Sequence, residues 1–191
     1  MLRRSVPLKK LEMLCAARLL DPDTLAIRSK MLLKLYRSVV SVILDKVVMT
    51  VRESCTLYKG EGSFAHDIQV GLTYLADFEP EYEKKEFAAR VSVLFESQWM
   101  IELMNNAIER VHMHLEHGDE YYEILYKCYF DKHRYRNDDL QDTMVFAHTS
   151  YFDCKREAIL LFGIYLWGYE IPELYRKLSE QSDLQHAKKA Y

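Results

Sequence analysis

The sequence predicts an all-α protein, a helical bundle with a C-terminal helix-turn-helix. Three observations carry this. Only 6 of 191 residues are Gly and 4 are Pro, so chain reversals are few. Apolar residues make up 49% of the chain, enough for a sizeable core. They recur at three- and four-residue steps, the period of a helix face, rather than alternating as in a strand.

Residues 1–20 read as a short amphipathic helix of mixed basic and apolar residues. Asp21-Pro22-Asp23 is a start signal, because proline fits the first helical turn. The pattern from there to about Tyr58 is helical. Leu25, Met31 or Leu32, Leu35, Val39, Val42 and Ile43 lie on one side, and Arg28, Lys30, Lys34 and Arg37 on the other. That basic side reads either as a phosphate-facing surface or as a solvated or acid-binding face within the protein. The second reading is preferred.

Lys59-Gly60-Glu61-Gly62-Ser63 is the clearest break, and a weaker helix over Ala65–Ala76 follows. Pro80 then opens a long helix through Phe87, Val91, Leu94, Phe95, Trp99, Leu103, Ile108 and Val111, expected to end near Gly118. Three helices follow over Tyr121–Gly168, the last two joined by a tight turn. Asn137 is the expected cap of the middle one, with Asp138 and Asp139 favoured by its dipole. Thr149 or Ser150 is expected to cap the last. In that helix Tyr151, Cys154, Ala158, Leu161 and Tyr165 form a core-facing stripe, and Thr149, Phe152, Asp153 and Arg156 stand opposite. The small Ala158 would let another helix approach closely. Three regions are expected: a helical region over 1–117, serving interaction or dimerisation, the helix-turn-helix over 118–170, and a tail over 171–191.

Charge is uneven. Residues 1–60 hold 12 Lys+Arg against 5 Asp+Glu, residues 61–130 hold 5 against 14, and residues 131–191 hold 9 against 10. Phosphate contacts supply most affinity for DNA, so a near-neutral C-terminal unit implies weak binding alone and a need for a dimer or another protein. The acidic middle is expected to pack on the basic N-terminal helices. No stretch is apolar long enough to span a membrane, since Asp45 and Lys46 interrupt Val39–Val51. Lys9, Lys10 and Glu12 spoil any signal-peptide core. Cys15, Cys55, Cys128 and Cys154 are scattered, with no metal-type or disulfide-framework spacing, so reduced cytosolic thiols are expected.

His112, His114, Glu116 and His117 invite a metal reading. His112 and Glu116 would share one helix face, and His114 and His117 another, but no zinc-protease spacing is matched. An exposed polar helix end is the preferred reading. With no Gly-rich phosphate loop, nucleophile elbow or carboxylate pair, neither an enzyme nor a cofactor is expected.

Residues 121–168 resemble the ArpU/RinA-type regulators of bacteriophages and prophages. The resemblance is carried by Ile124-Leu125-Tyr126-Lys127-Cys128-Tyr129-Phe130, the pair Tyr151-Phe152, Ala158 six residues beyond Phe152, and Phe162 through Gly168. The same region is similar to the promoter-reading domain of bacterial sigma factors. The resemblance implies a helix-turn-helix on promoter DNA of phage late packaging or lysis genes. His148, Thr149, Ser150, Phe152, Asp153 and Arg156 would then front the recognition helix. Arg156 would make the forked contact to guanine and Phe152 would meet a thymine methyl. For Phe152 a place in the core is the equal alternative. Lys132, Arg134, Arg136 and Lys155 would hold the DNA backbone.

Two positions depart from the family pattern. Val145 stands where the turn is often Gly, and a β-branched residue tolerates positive φ poorly. Asp153 puts a carboxylate on the groove side, suited only to a cytosine amino group. The expected partners are double-stranded DNA, RNA polymerase and a second copy of the chain. Two alternatives stand beside this reading: a helical module that engages RNA polymerase or another phage or host protein without reading bases, and a small terminase subunit.

Overall fold

The computed structural model describes residues 6–50, 61–77, 84–95, 97–144 and 150–189. Among the described residues there is no strand, and the chain is all-α. The order is α1 (Val6–Ala17), α2 (Pro22–Thr50), α3 (Glu61–Asp77), α4 (Lys84–Leu94), α5 (Gln98–His112), α6 (Gly118–Leu125), α7 (Asn137–Thr143), α8 (Tyr151–Tyr165) and α9 (Ile171–Lys189). A π-helical turn, Tyr126–Phe130, continues α6, and a second, Leu166–Glu170, joins α8 to α9. No described helix is long and apolar enough to cross a membrane.

The start of α2 follows the Asp-Pro-Asp signal. Asp21 Oδ2 accepts the Thr24 amide at 2.8 Å, and Pro22 takes the first helical position, where its missing N–H costs nothing. The hydrogen bonds from Thr24 hold the Asp21 carboxyl below its ordinary pKa. Of the basic side of α2, Arg28 donates to Ala76 O at 3.1 Å and Arg37 to Cys128 O and His133 O. Lys30 and Lys34 are exposed. The two guanidinium groups thus tie distant helix ends together, and the two ammonium groups stay in water.

The long helix expected from Pro80 to Gly118 is divided. Pro80 lies outside the described residues, and the chain leaves the helix at Phe95 and re-enters at Gln98. Ser97 is extended (φ −93°, ψ 139°), and its amide donates to Leu94 O at 3.0 Å. This corner buries Phe95 edge-on against Tyr36, with ring centroids 5.5 Å apart, and sets Trp99 against Gly71. The second end is early as well: α5 stops at His112, and Gly118 opens α6. A Cβ at Gly118 would collide with the carbonyls of Val111 and His112, so only glycine permits that approach. Helix α3 begins at Glu61, inside the expected break, while Lys59 and Gly60 lie outside the described residues.

Helix α8 is the axis of the fold. It packs on α1, α2, α5 and α6. Tyr151, Cys154, Ala158 and Leu161 are buried as their spacing predicts, and Tyr165 is half-buried. From Glu157 to Ile164, however, every residue is buried, so the outer face is lost after about two turns. The cause is composition: Ala-Ile-Leu-Leu-Phe-Gly-Ile is apolar on all sides, and such a helix belongs inside. The crossing with α2 leaves no spare room at Gly163. A Cβ at Gly163 would land on Ser29 Oγ and 2.9 Å from Leu25 Cγ. Ser29 is fully buried, and its hydroxyl is satisfied by Leu25 O at 2.7 Å.

One apolar cluster runs from Leu8 to Ile171 across the expected 117/118 boundary, so that boundary does not divide two cores. The expected tail from 171 is helix α9. Leu174, Tyr175 and Leu178 pack on the core, and Tyr175 O–H lies 2.7 Å from Thr73 Oγ1 of α3. The π turn before α9 donates Trp167 Nε1–H to Leu75 O at 2.8 Å, and buried Glu170 pairs with Arg110. The free thiols of Cys15, Cys128 and Cys154 are buried, and burial pushes that of Cys15 up to about 11.

Gly163→Ala should therefore lower stability by about 1–3 kcal/mol, the usual cost of overpacking. The urea midpoint measures it, and an unchanged midpoint would mean that α2 and α8 have room to separate.

Candidate functional site

The exposed beginning of α8 is built around its cap. Ser150 is extended (φ −74°, ψ 159°) and accepts the Asp153 amide at 3.3 Å. Its own hydroxyl donates to Asp153 Oδ2 at 2.7 Å. Ser150 and Asp153 thus close the first turn together, a variant of the capping box. Asp153 also suits the positive end of the helix dipole. Its departure from the family pattern has a structural role here. Phe152 is 58% exposed and set edge-on against Tyr151 at 5.2 Å, so it is not a core residue. Arg156 is exposed one turn on. His148, Thr149 and the turn position Val145 lie outside the described residues.

Helix α7 is held against α8 by one polar network. Asn137 does not cap α7, where the cap position is Arg136 and lacks a side-chain bond. Asn137 Oδ1 instead accepts from Tyr151 O–H at 3.0 Å and Lys155 Nζ at 2.9 Å. Lys155 also reaches Tyr151 O–H at 3.3 Å, and its ammonium lies 5.6 Å from the centre of the Tyr129 ring. Two of its three N–H bonds are thus used inside the protein. Burial and the Cys128 thiol at 3.5 Å raise the Tyr151 pKa, which keeps the phenol a donor. Leu140 and Met144 supply the apolar side of the dock. The connection from α7 to α8, Met144–Ser150, is seven residues, longer than the expected tight turn.

The expected backbone-contacting cations lie on the loop before α7. Lys132, Arg134 and Arg136 are exposed there. Among the described residues Arg136 approaches Asp138, at 4.0 Å. The loop is shaped from within. Asp131 accepts the His133 amide at 2.9 Å and Tyr135 O–H at 3.2 Å, and the His133 and Tyr135 rings meet at 4.5 Å. Arg37 clamps it from α2 through Cys128 O and His133 O. Sequence reading missed Arg37 as an anchor of this loop. It sits 91 residues from Cys128, and its pattern marks only a basic helix face.

Ser150, Phe152, Asp153 and Arg156 therefore share the open end of α8. Lys155 lies at the seam between α7 and α8, and Lys132, Arg134 and Arg136 stand on the preceding loop. Acids share the area, for Asp138, Asp139 and Asp142 of α7 are all exposed.

The histidine group does not form the expected helix faces, because α5 has ended. His112 meets Asp119 at 3.1 Å and stacks on Tyr122 at 4.3 Å, and His114 Nδ1 lies 2.8 Å from Tyr165 O–H. Glu116 takes Lys10 at 2.6 Å, and His117, at φ 60°, lies 3.7 Å from Glu120. Among the described residues no cluster of three His, Cys, Asp or Glu side chains is placed to hold a metal. Deeper in the bundle, Tyr121 O–H donates to the buried Glu157 at 3.0 Å. Burial and the Glu157 charge keep that phenol protonated.

No family model, curated protein or solved structure matches the chain.

Asn137→Ala removes the acceptor shared by Tyr151 and Lys155. It should lower stability by about 0.5–1.5 kcal/mol, the usual net worth of an intramolecular hydrogen bond, and speed amide exchange over 137–143. Exchange there at the wild-type rate would show that Leu140 and Met144 alone hold α7.

Proposed function

We propose that the protein is a sequence-specific regulator of transcription that binds double-stranded DNA with the first two turns of α8. One observation carries the reading. Ser150, Phe152 and Arg156 are exposed at the N-terminal end of this otherwise buried helix, and Lys155 among them joins Asn137, which directly follows the loop of exposed Lys132, Arg134 and Arg136. Recognition helices read base edges with N-terminal residues, and nearby cations hold phosphates. Arg156 takes the forked guanine contact and Phe152 the thymine methyl. Lys132, Arg134 and Arg136 hold the backbone, and Lys155 has one N–H left to assist them. Asp153 caps α8 rather than reading a base. The resemblance of residues 121–168 to ArpU/RinA-type regulators supports phage or prophage late genes as the target and the cytoplasm as the location.

A second reading is favoured by a different observation. The outer side of α7 carries Asp138, Asp139 and Asp142, which repel phosphate and suit a basic protein surface. On that reading the chain is an interaction module on RNA polymerase or another phage or host protein.

Selection from a pool of random duplexes, followed by gel shift on the enriched site, separates the two. Arg156→Ala should relax preference at one base pair, with a loss of about 1–3 kcal/mol. Lys132→Ala should weaken all duplexes alike and flatten the dependence on salt by about one phosphate contact. If no sequence is enriched, or if both variants bind the enriched site like the wild type, the regulator reading fails.

A further inference from the structure

We propose that the face carried by Tyr122, Tyr126 and Phe130 is a stacking platform for single-stranded nucleic acid. Its phosphates would be held by Lys132 and Arg134. The proposal does not rest on the duplex site of α8.

The rings follow one another at four-residue steps along α6 and its π turn. Tyr122 and Tyr126 stack at 5.6 Å with planes 25° apart, and Tyr126 and Phe130 at 6.5 Å and 10°. His112 extends the row at 4.3 Å from Tyr122. Such a row can be ordinary core packing, but three facts set this one apart. Tyr126 is 43% exposed, and Tyr122 and Phe130 are half-buried, so the row lies at the surface. Among the described residues neither Tyr122 nor Tyr126 makes a side-chain hydrogen bond that would explain a phenol there. The inner end is rigid, because Phe130 packs on Tyr36 at 4.7 Å and on Phe162 at 6.5 Å. The platform therefore exists before a ligand arrives.

The chemistry that recognises such a surface is a run of unpaired bases. Every base has a π face, whereas a duplex keeps those faces inside its own stack. Tyr122 to Phe130 spans about 12 Å of helix, the rise of about three or four stacked nucleotides. At the Phe130 end the chain turns into the loop of exposed Lys132 and Arg134, which make no ion pair among the described residues. The acids beside the row are engaged by the protein. Glu123 pairs with Lys127 at 2.6 Å, Asp119 with His112 at 3.1 Å, and Asp131 with the His133 amide and Tyr135 O–H. Glu109 is exposed beyond Tyr122, so the cation contacts to phosphate lie at the other end.

The test is fluorescence anisotropy of the full chain with labelled oligo-dT, oligo-rU and a random duplex of equal length, at low salt. The wild type should bind the single strands. Tyr126→Ala should weaken that binding by about 5- to 150-fold, the range for losing one stacked base, and leave the duplex isotherm unchanged. Tyr126→Phe keeps the ring and should bind as the wild type does. Wild-type protein that ignores both single strands, or Tyr126→Ala binding them undiminished, overturns the platform. Equal loss on single strand and duplex overturns it too, because the effect is then not stacking on unpaired bases. Arg156→Ala is the control for the other site: loss of duplex preference with oligo-dT binding kept shows that the α8 reading and this one stand or fall separately.

Discussion

Where α2 and α8 cross, Gly163 lies against Ser29 and Leu25 with no space for another carbon. Most of the fold follows from that crossing. Drawing α8 so near to α2 leaves its other sides to α1, α5 and α6, and the helix becomes the axis of the bundle rather than a surface rod. Its sequence suits that place, being apolar on every face from Ala158 to Ile164. Glu157 is the exception, and Tyr121 O–H meets it there. A buried carboxylate tolerates such a place only when donors reach it.

A buried axis has a consequence for its exposed end. Ser150 to Arg156 are the first turns of a helix whose remainder cannot shift without disturbing the core. The backbone that carries those side chains is held in position without help from a ligand, so little backbone ordering would accompany binding at that end. The flanking loop has the same property by another route. Its carbonyls are held by Arg37 of α2, and its own Asp131 ties down His133 and Tyr135. Helix α7 is too short to be stable by itself. The Asn137–Tyr151–Lys155 network makes it part of the same unit.

Much of this was legible in the residues. The scarcity of Gly and Pro, the Asp-Pro-Asp start of α2 and the Tyr151–Cys154–Ala158–Leu161 stripe all point where the chain goes. Three features were not legible, each for a physical reason. The break between Phe95 and Gln98 lies within unbroken helical periodicity, which carries no record of the contacts that Phe95 makes with α2 and Trp99 with α3. Ala158 is the small residue that the spacing marks for close approach, while Gly163, where α2 leaves no space for another carbon, carries no such mark. Spacing says which residues face inward but not where two axes cross. Asn137 has the composition of a cap, but two donors on α8 take its oxygen. The choice between a local and a distant partner depends on packing that a window of sequence does not contain. The aromatic row at 122, 126 and 130 did have a local signal in its four-residue step, which is the same signal a core stripe gives.

The remaining question is how so balanced a surface would discriminate among partners. Residues 131–156 hold five basic and five acidic side chains. Two of the acids are bound to neighbouring donors, but their charge stays in place, and Debye screening at physiological salt begins only beyond about 8 Å. The long-range field over this end of the molecule is therefore weak, and steering of any polyanion toward it is slight. Non-specific attraction to phosphate scales with the number of contacts made, and here three exposed loop cations supply most of them. Lowering that term weakens binding to all sequences, but it leaves intact the part contributed by base edges and ring faces. Selectivity is a difference between affinities, so a site with a small indiscriminate term can be highly selective while binding weakly. On the proposed reading, affinity would come from joining two such sites, or from a partner already on the DNA, since linking weak sites multiplies their strength without any new contact. The neutral balance of this surface thus fits a reader that acts as one part of an assembly better than one that acts alone.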